Sequence, residues 1–548
     1  MDNKKNRQKC KQFFKKKYYL FFSRAHTKAG RERRAYYRGS MREQRPSFRS
    51  SRVDAPLFLL LWGLFVLTTS FTFSNRGDGI AFASAAAKTN AAATSSEKDP
   101  DGTVAFATTF GKNASKNALF DAILSSVKRS SSEKEFETNL KLLRRRLHER
   151  PELMWTETET SALIKKELDA LSISYEDAAK PGILATIALD GDMDVSKKSS
   201  KNKIAVLLRA DMDALPVTEE TEFEFKSKNE GKMHACGHDG HVTMLLGAAK
   251  LIKRVLESGK EIIPEEVRKG KVVYLLFQPA EEGGAGAKKM LESKTMRNMK
   301  LKPSTSFALH NWPYVETPSG SFGTRGGTIM AGAGTFEITV TGKGGHAAVP
   351  HKNIDAVVCG SKIVTDVQTI VSRKASALDS VVITISTFHA GTVSNVMPDE
   401  AKLTGTLRSL QPETFRWAID ELSRVAKAVG IANGCEVEVS FASREVYPPT
   451  VNDAKAAEFA KRVAREIFGK EEGKVLDVDP VMPAEDFSFF ANEYPSVMNW
   501  IGSYNEAIGA VHPLHSAKYT LDESILKNGA AAHAGYALGF LAMNSTQF

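Results

Sequence analysis

Hydrophobic and polar positions along this chain change period several times. Over residues 133–150 the stretch EKEFETNLKLLRRRLHER puts Leu140, Leu142, Leu143 and Leu147 at helical spacing, and Pro151 stops the pattern. A second helix is predicted over residues 157–171, where Ala162, Leu163, Ile164, Leu168 and Leu171 recur with the same period. Short, continuous apolar runs then alternate with amphipathic ones. KIAVLLRADMDALP (203–216) reads as a buried strand running into a carboxylate-bearing loop, and HVTMLLGAAKLIKRVLE (241–257) reads as a helix. KVVYLLFQPAEEGGAGAKKMLE (271–292) repeats strand, polar loop and helix, and SFALHNWP (306–313) is a further strand ending on a histidine. This succession predicts an α/β fold with a parallel or mixed sheet covered by helices, and ligands bound at loops beyond the strand ends.

Near residue 328 the pattern shifts. GTFEITVTGKGGHAAVP, a helix over about 354–372, SVVITISTFHAG, EAKLTGTLRSL, a helix over about 413–429, and CEVEVSFASREVYPP read as β-α-β-β-α-β. That order predicts a compact, two-layer, ferredoxin-like α+β unit. After Val451 the helix AKAAEFAKRVAREIFG and the closing helical pattern return to the first unit. Residues 328–445 are thus expected to be inserted into a larger domain formed by 133–327 and 446–548.

Charge changes the picture at the N-terminus. Residues 1–54 hold 18 of the 75 Lys+Arg but 4 of the 64 Asp+Glu, so the formal charge of +11 resides in this tail and the rest of the chain is slightly acidic. The body therefore lacks the basic character that nucleic-acid binding requires. Residues 55–74 begin with the uncharged run APLFLLLWGLFVLTTSF, close to the ~20 residues of a spanning helix. The basic tail before it predicts a cytosolic residue 1–54 segment, with 55–74 as a transmembrane signal-anchor or a cleaved signal sequence. On that reading the protein is a single-pass membrane or secretory-pathway protein with its body on the luminal or extracellular side; a composite organelle-targeting sequence is the alternative. Residues 75–132, rich in Ala, Ser and charge, read as a flexible linker. Cys10, Cys236, Cys359 and Cys435 are too few and scattered for a disulfide framework.

The chemistry gathers at predicted strand ends. RADMD supplies Asp211 and Asp213, MHACGHDGH supplies Cys236 and His238, QPAEEGG supplies Glu281 and Glu282, ALHNW supplies His310, and PLHSAKYTLDE supplies His515. Alone, CGHDGH reads as a turn, EE as solvated surface and His310 as a structural histidine. Together they point to a metal: a thiolate and an imidazole two residues apart can share or bridge a cation. Of two adjacent glutamates, one can bind metal while its neighbour takes a proton from activated water, the division of labour that metal-assisted hydrolysis needs. The spacing does not fit a structural zinc finger.

From about residue 137 to 541 the chain resembles the M20 metallopeptidases, most closely the amidohydrolase branch of N-acyl-amino-acid (hippurate-type) hydrolases and plant auxin-conjugate hydrolases. LRRRLHERPEL, RADMDALPV, MHACGHDGH, FQPAEEGGAGA, ALHNWP, GKGGHAAVPH, GTVSNVMPDEAKLTGTLR, AEDFSFF and LHSAKYTLDE carry the resemblance in order. It implies a mixed-sheet dinuclear metallohydrolase domain with the inserted α+β unit as a lid. It further implies two divalent metal ions, manganese or zinc, held by Cys236, His238, Glu282, His310 and His515. Glu281 matches the general base, and Asp213 an aspartate that orients the site. His346 matches a residue that stabilises the oxyanion, often across the interface of a homodimer formed through the lid. Asn395 and Arg408 match positions that hold the substrate carboxylate, for which a guanidinium fork is suited. The implied substrate is a small-molecule N-acyl amino acid, cleaved to a carboxylic acid and an amino acid. A dipeptidase or carboxypeptidase on the same scaffold, and a noncatalytic membrane-tethered binding protein, are the alternatives; Glu281 beside Glu282 speaks against the last. One departure stands out: Ala517 replaces the usual proline after the C-terminal His-Ser, which predicts a looser loop around His515.

Overall fold

The computed structural model describes residues 116–191, 203–258, 262–441 and 445–543. Its strands are β1 Ser174–Asp177, β2 Ile183–Ala188, β3 Ile204–Asp211, β4 Lys271–Gln278, β5 Thr305–Trp312, β6 Phe322–Thr324, β7 Gly327–Met330, β8 Gly332–Thr341, β9 Gly345–His346, β10 Val381–Ala390, β11 Val396–Met397, β12 Glu400–Ser409, β13 Glu436–Ser440, β14 Thr450–Asn452, β15 Val475–Asp477 and β16 Ser496–Gly502. The principal helices are α1 Lys116–Ser131, α2 Lys134–His148, α3 Thr158–Ala170, α4 His238–Glu257, α5 Gly286–Glu292, α6 Ala356–Asp366, α7 Pro412–Asn433, α8 Ala454–Phe468, α9 Ser488–Glu493 and α10 Leu526–Met543.

Eight strands form one mixed sheet in the order β1-β2-β4-β3-β5-β16-β6-β15. Its centre is parallel: β3 pairs with β4 and β5, and β5 with β16, so these strands all end on one rim. Successive residues of β3 enter different cores. Val206, Leu208 and Ala210 pack under α2, α4 and α10, whereas Ala205 and Leu207 face the opposite side with Met290 of α5 and Phe490 of α9. A sheet covered on both faces needs continuous apolar strands, which is the pattern the sequence displays.

The second sheet has the order β10-β12-β8-β13 and is antiparallel throughout. In β8 the alternation is strict: Phe336, Ile338 and Val340 are buried against a separate core with Ile363 of α6 and Leu422 of α7. The β-α-β-β-α-β connectivity is the ferredoxin-like arrangement expected. The first of its helices is shorter than its pattern suggested, ending at Asp366 before a wider turn at Ile370–Lys374.

Two expectations are corrected. Residues 116–131 are not linker but helix α1, packed on α8 and α10. Leu119, Phe120, Ile123, Leu124 and Val127 form its buried stripe, hidden from a composition-based reading by the Ser and Lys around them. Small residues let α10 approach: a methyl group at Gly535 would lie 2.9 Å from Leu124 and one at Gly539 2.8 Å from Phe120. The second correction concerns the membrane. Among the described residues no helix is long and apolar enough to cross one, so the transmembrane signal-anchor, the membrane contact and the single-pass or secretory localisation find no spanning element in the structure. The segment on which they rested, residues 55–74, lies outside the described residues.

Candidate metal centre and active site

The rim where β3, β4 and β5 end collects the polar clusters. Past β3, Asp213 accepts the backbone N–H groups of Glu281 and Glu282, each at 3.0 Å, and so fixes the turn that follows β4. His310 sits near the end of β5, and its Nδ1 lies 2.7 Å from the Asn311 carbonyl. That bond directs Nε2 toward Cys236, whose Sγ is 3.5 Å away. His238 opens α4. It follows Gly237, which caps the helix at φ 82°, where a methyl group would come within 2.6 Å of the Tyr519 hydroxyl, so only glycine fits. Cys236 and His238 therefore flank a tight turn into a helix.

Ligand atoms of Cys236, His238 and His310 lie within 4.8 Å of one another, as do those of Cys236, Glu282 and His515, and those of His238, Glu281 and Glu282. These overlapping triplets bring all five expected ligands and the expected base to one centre. His515 has φ 66°; its backbone N–H bonds to the Ala235 carbonyl at 2.9 Å, and its Nε2 lies 3.3 Å from Glu282. The loop is tied at the variant position too, because the Ala517 carbonyl accepts the Glu220 N–H at 2.8 Å.

The donor set suits cations. His238 places Nδ1 2.9 Å from the Asp213 carbonyl, leaving Nε2 buried without a hydrogen-bond partner. Burial pushes the Cys236 thiol well up, and the nearby Glu282 and Glu281 carboxylates push further, so a thiolate here needs a compensating positive charge. Burial also raises Glu281 well above the ordinary carboxylate range, with Glu485, Glu282 and Asp486 adding to it. An orphaned imidazole nitrogen, a second imidazole, a thiol and paired carboxylates form a mixed N/S/O set of the kind that binds borderline divalent ions.

The other polar residues of the cluster serve as support. His241 holds Asp211 at 2.6 Å through Nδ1 and receives the Asn311 N–H at 2.9 Å. Burial would raise Asp239, yet Arg144 at 2.8 Å and His148 at 2.7 Å hold it well below the usual range. Sequence reasoning passed over Arg209, Glu485, Asp486, Glu157 and Tyr447. Arg209 is buried in β3 and bonds to Asp211 at 2.7 Å, Gln278 and Glu485 at 2.8 Å and Asp486 at 3.1 Å. A lone arginine inside AVLLRAD was the available signal.

A cavity of about 290 Å³ opens over this centre. Cys236, Glu281, Glu282, His310 and His515 line its floor, Trp312, Met330, Pro483 and Leu514 offer apolar surface, and Arg408 and Thr335 reach in from the second sheet. Trp312 stacks on Trp500 with ring centroids 4.3 Å apart. His346 and Asn395 are not among the lining residues. Both are exposed, and the Asn395 carbonyl accepts the Ala347 N–H at 3.1 Å beside the short β9–β11 pairing.

Fold and donor set together define a metal-dependent hydrolase with room for two divalent cations. The chain belongs to the Peptidase family M20/M25/M40, which matches residues 207–539. It is 39% identical over 407 residues to IAA-amino acid hydrolase ILR1-like 5 of Arabidopsis thaliana, covering 74% of this chain and 87% of that one. It is likewise 39% identical to Thermostable carboxypeptidase 1 of Saccharolobus solfataricus, covering 74% and 96%, and 34% identical to Hippurate hydrolase of Campylobacter jejuni, covering 73% and 96%. Among solved structures, a chain from methicillin-resistant Staphylococcus aureus is 30% identical with a TM-score of 0.66, covering 77% of this chain and 99% of that one. A dinuclear metal binding peptidase of the same family from Bacillus subtilis is 29% identical with a TM-score of 0.57, covering 74% and 98%.

Proposed function

We propose that this protein hydrolyses the amide bond of N-acyl amino acids of the auxin-conjugate or hippurate type, releasing a carboxylic acid and an amino acid. The observation that carries the reading is the convergence of Glu281 with Cys236, Glu282, His310 and His515 on the floor of a cavity, with His238 buried against them, an apolar wall and a guanidinium opposite. The five ligands would hold two divalent ions, manganese or zinc. When bound, the pair supplies an acidified water and polarises the scissile carbonyl. Glu281 takes the proton from the attacking water and returns it to the departing amine. Asp213 keeps the base loop fixed through the two backbone amides. Arg408 binds the substrate carboxylate from the lid side, and the Trp312, Met330 and Leu514 surface receives the acyl group.

His346 and Asn395, exposed and outside the cavity of their own chain, fit a homodimer formed through residues 328–445 in which one subunit completes the other's site. Val349, Val393 and Val396 are exposed beside them, which agrees with a surface meant to be covered. A carboxypeptidase or dipeptidase activity is the second reading, favoured by the similarity to the Saccharolobus enzyme. One experiment separates them: the purified chain, with its bound metal determined, is assayed on N-acetyl, N-benzoyl and indole-acyl amino acids and on free dipeptides. Preferential release of amino acid from the acyl substrates is expected. Turnover of dipeptides alone would replace the proposal, and absence of turnover throughout would remove it.

A further inference from the structure

The chain passes from the large sheet to the small one and back at a single place, and the two crossings lie side by side. β7 pairs with β14, and just beyond them Ala333 and Tyr447 exchange backbone hydrogen bonds of 2.8 and 2.9 Å. Tyr447 is buried, and its ring is met edge-on by Phe489 at 6.0 Å. From this crossing its hydroxyl reaches the loop that carries the base. It donates to the Glu281 carbonyl at 2.8 Å and accepts the Ala285 N–H at 2.9 Å.

That loop needs fastening. Within six residues Ala280, Gly283 and Ala285 have φ of 56°, 99° and 52°, so two alanines occupy the left-handed region that side chains disfavour. Such a conformation persists only when its surroundings over-determine it. Asp213 clamps the loop at the Glu281 and Glu282 amides, and Glu157 clamps it at the Ala280 amide, 2.8 Å away. Asp213 reaches it from the loop after β3 and Glu157 from the turn before α3. Tyr447 clamps the remaining side, and it alone of the three sits on the segment leading to the second sheet.

We infer that Tyr447 is a positioning residue, which fastens the Glu281 loop to the crossing between the two sheets and so fixes where the base stands relative to the substrate carboxylate held at Arg408. The inference rests on the proposed role of Glu281. It identifies Tyr447 as acting through the loop, without touching substrate. Removing the hydroxyl strips the Ala285 N–H of its acceptor, leaves the Glu281 carbonyl only the Gly283 N–H at 2.6 Å, and frees the loop to relax toward ordinary backbone geometry. A base displaced by about an ångström costs on the order of 100-fold in rate.

The test is Tyr447→Phe in the full chain, with kcat and KM measured on the best substrate of the panel, bound metal determined, and amide exchange followed by mass spectrometry over residues 280–287. The expected result is a kcat lowered by roughly 10- to 100-fold, KM changed by less than about threefold, unchanged metal content, and faster exchange of the Ala285 amide. Phe489→Leu, which disturbs the packing of the ring but leaves the hydroxyl, controls for a merely structural effect and should leave kcat within about threefold. Wild-type kcat in Tyr447→Phe, beside an inactive Glu281→Gln, would overturn the inference while leaving the proposed function standing. Should Tyr447→Phe fail to fold, exchange in the wild-type chain decides: the Ala285 amide must be protected, and exchange at the rate of an exposed loop overturns the clamp. An enzyme inactive on the whole panel would remove the functional reading, and that same exchange measurement would still judge the clamp.

Discussion

Arg209 donates from Nη2 to Oε1 of Glu485 at 2.8 Å, with both side chains buried. The same guanidinium also serves Asp211 and Asp486, so one cation compensates three buried carboxylates beneath the metal centre. Arg209→Met should destabilise the protein by about 3–5 kcal/mol, because it strands charge that was compensated. Denaturant titration measures this; a loss below about 1 kcal/mol would mean that solvent or protonation relieves the carboxylates instead.

Glu281→Gln keeps the shape of the base but cannot accept a proton. Turnover should fall by about 100-fold or more while both metals remain bound, as judged by metal analysis of the purified variant. Full activity in this variant would end the assignment of the base.

Glu157 gives a pH-dependent stability with a definite sign. Burial, with Asp213 nearby, raises its pKa to about 8, while the unfolded chain holds it near the ordinary ~4.3. The folded state therefore binds this proton more tightly, so the group's contribution is complete below pH ~4.3 and is lost as pH rises toward 8. Urea midpoints of the wild type and Glu157→Gln, compared from pH 5 to 9, should diverge in favour of the variant as pH rises, by on the order of a few kcal/mol. Parallel curves would refute the raised pKa.

Phe120→Ala should cost about 3–5 kcal/mol, since Phe120 is buried against Phe459 and Gly539. Thermal unfolding of the full-length variant checks it, and a change too small to resolve would mean that α1 contributes little to the fold. Starting a shortened chain at residue 133 removes the same contacts and should lower stability in the same direction.

How much could be read in advance follows from where each signal lies. That Asp213, Cys236, His238, Glu281, Glu282, His310 and His515 gather at one place was legible because a strand end forces its polar residues onto one rim, and the apolar runs of β3, β4 and β5 announce those ends; the role of each came only with the family resemblance. Arg209 and Tyr447 were not, because the partners that define their roles lie far off in sequence, Glu485 276 positions from the one and Glu281 166 positions from the other. Helix α1 escaped notice because a short apolar stripe in a Ser- and Lys-bearing stretch looks like linker until α10, itself apolar all round, supplies its partner. His346 and Asn395 show the opposite case: the motif named them, but their own chain leaves them exposed and outside the cavity.

The position of β16 between β5 and β6 has a consequence for biosynthesis. β5 and β6 are close in sequence, yet the strand that joins them is made almost two hundred residues later, and His515 follows later still. During synthesis the large sheet stays open along that seam while the inserted unit, whose four-stranded sheet is built entirely from residues 332–440, can close by itself. The hydrolytic centre is therefore completed only as the last segment docks, so a nascent or truncated chain carries most of the ligands but no finished catalyst.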